Sequence, residues 1–330
     1  MAPMSFDANT VPEFEDGPDA MVPGRYRPRF LWHLRTRTLT LGERTHFMAI
    51  VNLTPDSFSG DGLLISGDAF IGSAAGAKMA VAAAIAAVDG GADIVDLGAE
   101  STRPDATPIS AEEEQARLLP VLERLLIERP QAIISVDTYH ASTARAAARA
   151  GAEIINDVSG LKWDPAMAEV VAQSGCGLVL MHARGRPTEW QSQPQLEGNE
   201  VVPTVFAGLC EQMMEAEAAG IGAERIVVDP GFGFGKRGTE NFALLAGLRR
   251  LRELGRPLLI GLSRKGFLGD AVRPVQMKKA EAAIARRVAT EAANVAAVLA
   301  GAHVLRVHDL QAAREAAAVA DAVLLQTNAI

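Results

Sequence analysis

Beyond about residue 30 the chain alternates short runs that are nearly continuous in apolar residues with longer alanine-rich stretches. The runs are FMAIVN (47–52), DIVDLG (93–98), AIISVD (132–137), EIIND (153–157), GLVLMH (177–182), RIVVDP (225–230), PLLIGL (257–262) and VLRVHD (304–309). A strand covered on one face alternates apolar and polar positions, whereas one covered on both is apolar throughout. These eight therefore predict parallel strands buried between layers. Helical spacing and propensity follow each run, over 75–88, 111–128, 140–150, 165–174, 201–219, 239–254, 279–300 and 310–324. Eight β-α units in unbroken succession, with no linker or second composition regime, predict an α/β fold of the (β/α)8 TIM barrel kind. It forms one domain over 31–330 rather than an open doubly wound sheet. The stretch before the first run, LWHLRTRTLTLGERTHF, alternates and predicts a hairpin capping the barrel bottom. Residues 184–199, rich in Gly, Pro and Gln, predict a long surface loop after the fifth strand.

Composition narrows the function. The 330 residues are 48% hydrophobic and 22% charged, an ordinary globular balance. Forty acidic against 32 basic residues give a net charge of −8, and no Lys/Arg stripe concentrates positive charge, so nucleic acid is excluded as a partner. The longest wholly apolar run, Met79 to Val88, is far short of the ~20 residues a membrane span needs. The acidic, proline-bearing start lacks the pattern of a secretory signal, so a cytoplasmic address is expected, and residues 1–30 read as a flexible arm without chemistry. Cys176 and Cys210 are isolated, without metal-ligand spacing, and are read as buried thiols.

The chemistry is suggested by what ends the apolar runs. Asn52, Asp96, Asp137, Asn156, Asp157, His182, Asp229, the Ser263-Arg264-Lys265 triplet, Arg306, His308 and Asp309 all stand at or just past strand ends. In a barrel these ends converge on one rim, where barrel active sites lie, and polar groups there are costly unless paired or bound. A lone Asp or Asn at such a place is often a cap or turn former, and Asp157 and Asp309 are read that way. His182 is balanced between a core histidine and a site residue. Asp137, Asn156, Asp229 and Lys265 together suit a flat heterocycle carrying N–H donors and ring acceptors. Arg103, Arg306, His308 and Asn52 form a second, cationic group suited to phosphate or diphosphate, with the Asn52 carbonyl oxygen available to a hard cation such as Mg²⁺. GFGFGK (231–236) lacks P-loop spacing and reads as a tight turn, in which Phe234 offers an aromatic stacking face.

These strings carry a resemblance over nearly the whole chain after about residue 35. MAIVNLTPDSFSGDG, DIVDLGAESTRP, ISVDTYH, IINDVSG, VLMH, IVVDPGFGFGK, IGLSRKGFLG and VLRVHD, in this order, resemble dihydropteroate synthase. The resemblance implies condensation of 6-hydroxymethyl-7,8-dihydropterin diphosphate with 4-aminobenzoate, assisted by Mg²⁺, on a barrel that is usually a homodimer. It implies a pterin pocket of Asp137, Asn156, Met181, Asp229 and Lys265, and a diphosphate site of Asn52, Arg103, Arg306 and His308, with Asn52 also at the metal. It places 4-aminobenzoate against Thr102, Pro104, Phe234, Ser263 and Lys265, near the helix after the seventh strand. Catalysis falls to Asn52, Arg103, Asp137, Lys265, Arg306 and His308, in an SN1-like course that needs no strong general base. Loops over Thr54–Gly62 and Ser101–Thr107 are expected to cover the site. The MHARGRP loop is more basic than the family pattern, and the seventh helix lacks a Gly-Ser pair frequent there. The alternatives are a pterin-dependent methyltransferase, which has no need of the TPDSF and STRP loops or the Arg306/His308 pair, and a catalytically silent pterin-binding barrel.

Overall fold

A computed structural model describes residues 27–53, 74–100, 107–272 and 279–327. A two-stranded antiparallel hairpin, β1 (Phe30–His33) and β2 (Thr38–Leu41), comes first. The repeating units follow: β3 (His46–Asn52), α1 (Ala74–Asp89), β4 (Ile94–Gly98), α2 (Ala111–Glu128), β5 (Ile134–Asp137), α3 (Ala141–Ala150), β6 (Ile154–Asp157), α4 (Met167–Ser174) and β7 (Gly177–Met181). The second half continues with α5 (Gly198–Ala218), β8 (Ile226–Asp229), α6 (Thr239–Ala246), β9 (Leu259–Ile260), α7 (Gly266–Ala271), α8 (Lys279–Leu299), β10 (Val304–Val307) and α9 (Leu310–Thr327).

The eight repeat strands are parallel in the order β8-β7-β6-β5-β4-β3-β10-β9, and a bridge between Val228 and Leu258 joins the two ends. The sheet is therefore a closed (β/α)8 barrel, with the expected strand sites. Its bottom is plugged by the hairpin. Trp32, Leu34 and Leu41 pack on Met48, Ile94, Ile154, Val179, Val227, Leu259 and Val304, residues at or near the starts of seven barrel strands. The indole Nε1 of the fully buried Trp32 donates to the Arg225 carbonyl at 2.8 Å, so its one polar atom is satisfied. Among the described residues the bottom of the barrel is thus sealed by carbon, and the interior is approached from the C-terminal rim.

Local signals explain the element ends. Ser110 caps α2 by accepting from the Glu113 N–H at 3.2 Å, and Glu112, Glu113 and Glu114 fill the first turn, where the helix dipole favours acids. The expected helix over 239–254 stops at Ala246, and a 3₁₀ segment, Leu248–Leu254, continues after Gly247. The short α7 was not anticipated. The arm expected over 1–30 lies outside the described residues as far as 26, but the chain is already packed at Arg27, whose guanidinium bonds Thr45 Oγ1 and Asp321 Oδ1, each at 2.8 Å. The surface loop at 184–199 departs from expectation at Trp190, which is buried. Of the two cysteines read as buried, Cys176 is and Cys210 is half-buried.

Candidate active site

A cavity of about 1690 Å³, which also runs between α1 and α9, opens at the C-terminal ends of the strands. Asn52, Asp137, Asn156, Met181, Asp229, Phe234, Ser263, Lys265, Arg306 and His308 all line it, from β3, β5, β6, β7, β8 and β10 and the loops after β8, β9 and β10. Thr102, Arg103 and Pro104, and the covers over Thr54–Gly62 and Ser101–Ala106, lie outside the described residues.

The two groups of rim residues expected from sequence are joined at Arg306. Its Nε donates to Asp96 Oδ2 at 2.7 Å and its Nη2 to Asp137 Oδ2 at 2.6 Å. Asn156 Nδ2 reaches the same Asp96 oxygen at 3.1 Å, while Asp96 Oδ1 is buried without a partner. Two carboxyl groups thus share one guanidinium, Asp96 fully buried and Asp137 and Arg306 partly exposed to the cavity. Burial pushes Asp137 up to about 7, against the pull of Arg306 and with the push of Asp96. Arg306 is held above its usual range because Asp96 and Asp137 outweigh its own burial. Asp96 stood among the strand-end polars in the sequence, yet its partnership spans 210 positions and has no local signature.

Nearby, Asp229 Oδ1 accepts the Gly231 N–H at 2.7 Å, and burial raises its pKa. Its Oδ2 takes no hydrogen bond from the described residues. Burial likewise draws the Lys265 ammonium down to about 8, with Asp229 opposing. Lys265 Nζ stands 4.1 Å from the centre of the Phe234 ring, a cation–π contact, and Trp190 meets the same ring edge-on at 5.2 Å. Ser263 Oγ accepts from the His308 backbone N–H at 3.2 Å and lies 3.1 Å from its Nδ1, fixing the imidazole plane. Arg264, with φ of 61°, turns the chain between these groups.

Other rim residues are structural. Asp157 accepts from the Ser159 and Leu161 N–H groups at 2.8 and 2.7 Å, forming a turn, and Asp309 caps α9 through the Ala312 N–H at 3.1 Å. His182 is a core residue outside the cavity, lying so close under Gly208 that an added Cβ there would stand 2.5 Å from its Cδ2. Burial keeps it neutral by lowering its pKa well below the usual value. Arg184 and Arg186, the basic residues of the fifth-strand loop, spend their guanidiniums on the Gly235, Pro194 and Trp163 carbonyls and do not line the cavity.

Sequence reasoning missed a network at the cavity edge. Tyr139 donates to Glu100 Oε1 at 2.7 Å, and Glu114 Oε2 accepts from Thr138 at 2.8 Å with His140 Nδ1 at 3.0 Å. Burial raises the Glu100 pKa, and the hydrogen bond to Glu114 raises that of His140. Glu100, Glu114 and His140 bring ligand atoms within 4.8 Å of one another, but the bonds among them already serve the buried Glu114.

A family model described as pterin binding enzyme matches residues 48–308. The chain is 42% identical over 300 residues to the mitochondrial folate synthesis bifunctional protein of Pisum sativum, covering 87% of this chain and 55% of that protein. It spans about half the length of such plant relatives. It is 37% identical over 279 residues to the dihydropteroate synthase of Escherichia coli K12, covering 84% of this chain and 92% of that one. Among solved structures, Xanthomonas albilineans dihydropteroate synthase with 4-aminobenzoic acid superposes with a TM-score of 0.76 at 39% identity, covering 90% of this chain and 98% of that one.

Proposed function

The chain belongs to the pterin-binding enzyme family, among relatives that are dihydropteroate synthases, and we propose that it condenses 6-hydroxymethyl-7,8-dihydropterin diphosphate with 4-aminobenzoate. The observation that carries this reading is the convergence of Asp137, Asn156, Asp229 and Lys265 on one cavity that also holds Asn52, Arg306 and His308. Such a donor and acceptor set fits a flat heterocycle bearing an anionic leaving group.

In this reading the Asp229 carboxylate, whose Oδ1 also accepts the Gly231 N–H, accepts from the pterin ring N–H and exocyclic amine in bidentate fashion. Asn156 and Asp137 meet another edge, Lys265 donates to the ring acceptors, and Met181 packs against the face. Asn52, Arg306 and His308, with Arg103, hold the diphosphate. The Asn52 side chain lines the cavity without a hydrogen bond from the described residues, and its carbonyl oxygen would be a fitting ligand for a Mg²⁺ beside the diphosphate. Bound there, such an ion would neutralise charge on the leaving group.

The bond from the exocyclic carbon to the diphosphate oxygen breaks first, and its electron pair leaves with the diphosphate. The pterin cation that remains is stabilised by its own nitrogen lone pairs and by its surroundings. Asp96 and Asp137 together offer two carboxyl groups against the single guanidinium of Arg306, so the pocket floor favours positive charge on the ring. The neutral amine of 4-aminobenzoate, held against Phe234, Lys265 and Ser263, with Thr102 and Pro104 assigned to this ligand by the resemblance alone, adds its lone pair to that carbon and passes one N–H proton to water or to the departing diphosphate. No general base of high strength is needed, which agrees with a rim built from hydrogen-bonding and charged groups rather than a Ser-His-Asp arrangement.

The reading includes a homodimer and a cytoplasmic address. Among the described residues no helix is long and apolar enough to cross a membrane. The packed pair α8 and α9 exposes Ile284 and Val288 from one helix and Val319 and Val323 from the other, apolar surface of the kind a partner covers. Calorimetric titration with a dihydropterin tests the pocket. Asp229→Asn should weaken binding by about a hundredfold, since it swaps a bidentate acceptor for a group carrying its own donors. Equal affinity in parent and variant would mean the ring binds elsewhere.

A further inference from the structure

The loop after β8 contains a buried lysine that the reaction does not use. Gly231, Gly233 and Gly235 have φ of 67°, 79° and 70°, a conformation that L side chains rarely adopt, and they alternate with Phe232, Phe234 and Lys236. Positive φ at every second residue winds the six-residue segment into a compact coil. Space demands glycine as well: a Cβ at Gly231 would stand 2.0 Å from the His182 carbonyl oxygen, and one at Gly235 2.6 Å from Arg184 Cβ.

At the centre of the coil is the Lys236 ammonium, 3% exposed. It donates to the Gly231 carbonyl at 2.8 Å, the His182 carbonyl at 3.1 Å and the Phe234 carbonyl at 3.2 Å. Three donors meet three acceptors, which is the full capacity of the group. These carbonyls belong to the end of the β7 unit, the start of the loop and its tip. One side chain therefore ties the tip to two fixed points. Asn241, on α6, completes the fastening: its Oδ1 accepts the Gly233 N–H at 2.7 Å and its Nδ2 donates to the Lys236 carbonyl at 2.9 Å. Phe232 is thereby directed into the core, stacked on Phe267, while Phe234 lines the cavity between Trp190 and the Lys265 ammonium.

We propose that Lys236 is a positioning residue whose ammonium, by clasping these three carbonyls, sets the Phe234 ring against Lys265 and so governs capture of 4-aminobenzoate rather than of the pterin. The proposal rests on the synthase reading above. Asp229 stands on β8, so its backbone keeps its place when the loop tip is released, although its carboxylate loses the attraction of the Lys236 charge.

Lys236→Met keeps an unbranched apolar side chain, one atom shorter, and removes its donors. Steady-state kinetics on the full chain should show the KM for 4-aminobenzoate rising about tenfold, with kcat and the KM for the pterin diphosphate within about threefold of the parent. A double-mutant cycle with Phe234→Ala separates positioning from general loosening. If Lys236 acts through the ring, Lys236→Met adds nothing to the aminobenzoate KM once the ring is gone. Amide hydrogen exchange reads the clasp without turnover: segment 231–236 should exchange at least about tenfold faster in Lys236→Met while β5 and β6 keep their protection. Should Lys236→Met fail to fold, Asn241→Ala cuts the other fastening and is expected to show the same kinetic and exchange pattern. Unchanged aminobenzoate KM, equal weakening of both substrates, full additivity with Phe234→Ala, or unchanged exchange at 231–236 would each overturn the proposal. A parent that forms no dihydropteroate removes the synthase reading, and the exchange experiment then still decides whether the clasp exists.

Discussion

Replacing Arg306 by methionine should destabilise the fold in a way that depends on pH, because the residue is the sole guanidinium seen bonded to Asp96 and Asp137. The contacts are 2.7 and 2.6 Å, and the side chains of Asp96 and Asp137 are 0% and 16% exposed. Breaking a buried pair and leaving its partner charged typically costs about 3–5 kcal/mol. Here the cost depends on protonation. Burial already pushes Asp137 up to about 7 with Arg306 present, and removing the cation raises it further. A carboxyl whose folded pKa lies above its unfolded value binds more protons folded than unfolded, so it loses stability as pH rises through the window between them. The deficit of Arg306→Met should therefore be about 3–5 kcal/mol at pH 8 and smaller by about 1–2 kcal/mol at pH 5.5, where Asp137 takes up a proton. Urea denaturation of parent and variant at both pH values measures this, and Arg306→Met/Asp137→Asn should recover part of the loss at pH 8. A deficit below about 1 kcal/mol, or one equal at the two pH values, would refute the shared-guanidinium argument.

Lys265→Met should abolish turnover yet stabilise the ligand-free protein. Its pKa falls from 10.5 to about 8 on folding, so the charged form is disfavoured by at most ~3 kcal/mol below pH 8, a penalty that fades as pH climbs to 10.5. A thermal midpoint raised at pH 7 but not near pH 10.5 is the expected result, and a lowered midpoint at pH 7 would show that its contacts with Phe234 and Asp229 outweigh desolvation. Sedimentation should give the mass of two chains, and Ile284→Lys/Val288→Lys should halve it. A parent mass of one chain would contradict the dimer.

Much of the fold was legible because burial on both faces makes a barrel strand apolar along its length, and all eight such runs hold a strand. The plug was legible for the opposite reason: Leu31 to Leu41 alternates, and the inward members Trp32, Leu34 and Leu41 seal the bottom. Short elements were harder. PLLIGL yields a strand of only two residues, and α7, with six, is too brief to show a helical period. At the site, strand ends identified which polar side chains face the rim but not how they share partners. The Asp96–Arg306–Asp137 cluster and the Glu114–His140 pair join positions 210, 169 and 26 residues apart, distances over which a single sequence has no periodicity to read. Trp190 was hidden inside a polar loop, where composition outvoted one aromatic. Lys236 was seen only as the end of a glycine motif that failed to match a phosphate loop, whereas its role is to satisfy carbonyls within that loop.

This rim should join a pterin to an arylamine with loss of diphosphate. Incubating the purified protein with 6-hydroxymethyl-7,8-dihydropterin diphosphate, 4-aminobenzoate and Mg²⁺ tests it directly. Dihydropteroate and diphosphate should appear in equal amounts, and both should vanish in Asp229→Asn. Tight pterin binding with neither product formed would contradict the claim and leave a barrel that holds the pterin without transferring it.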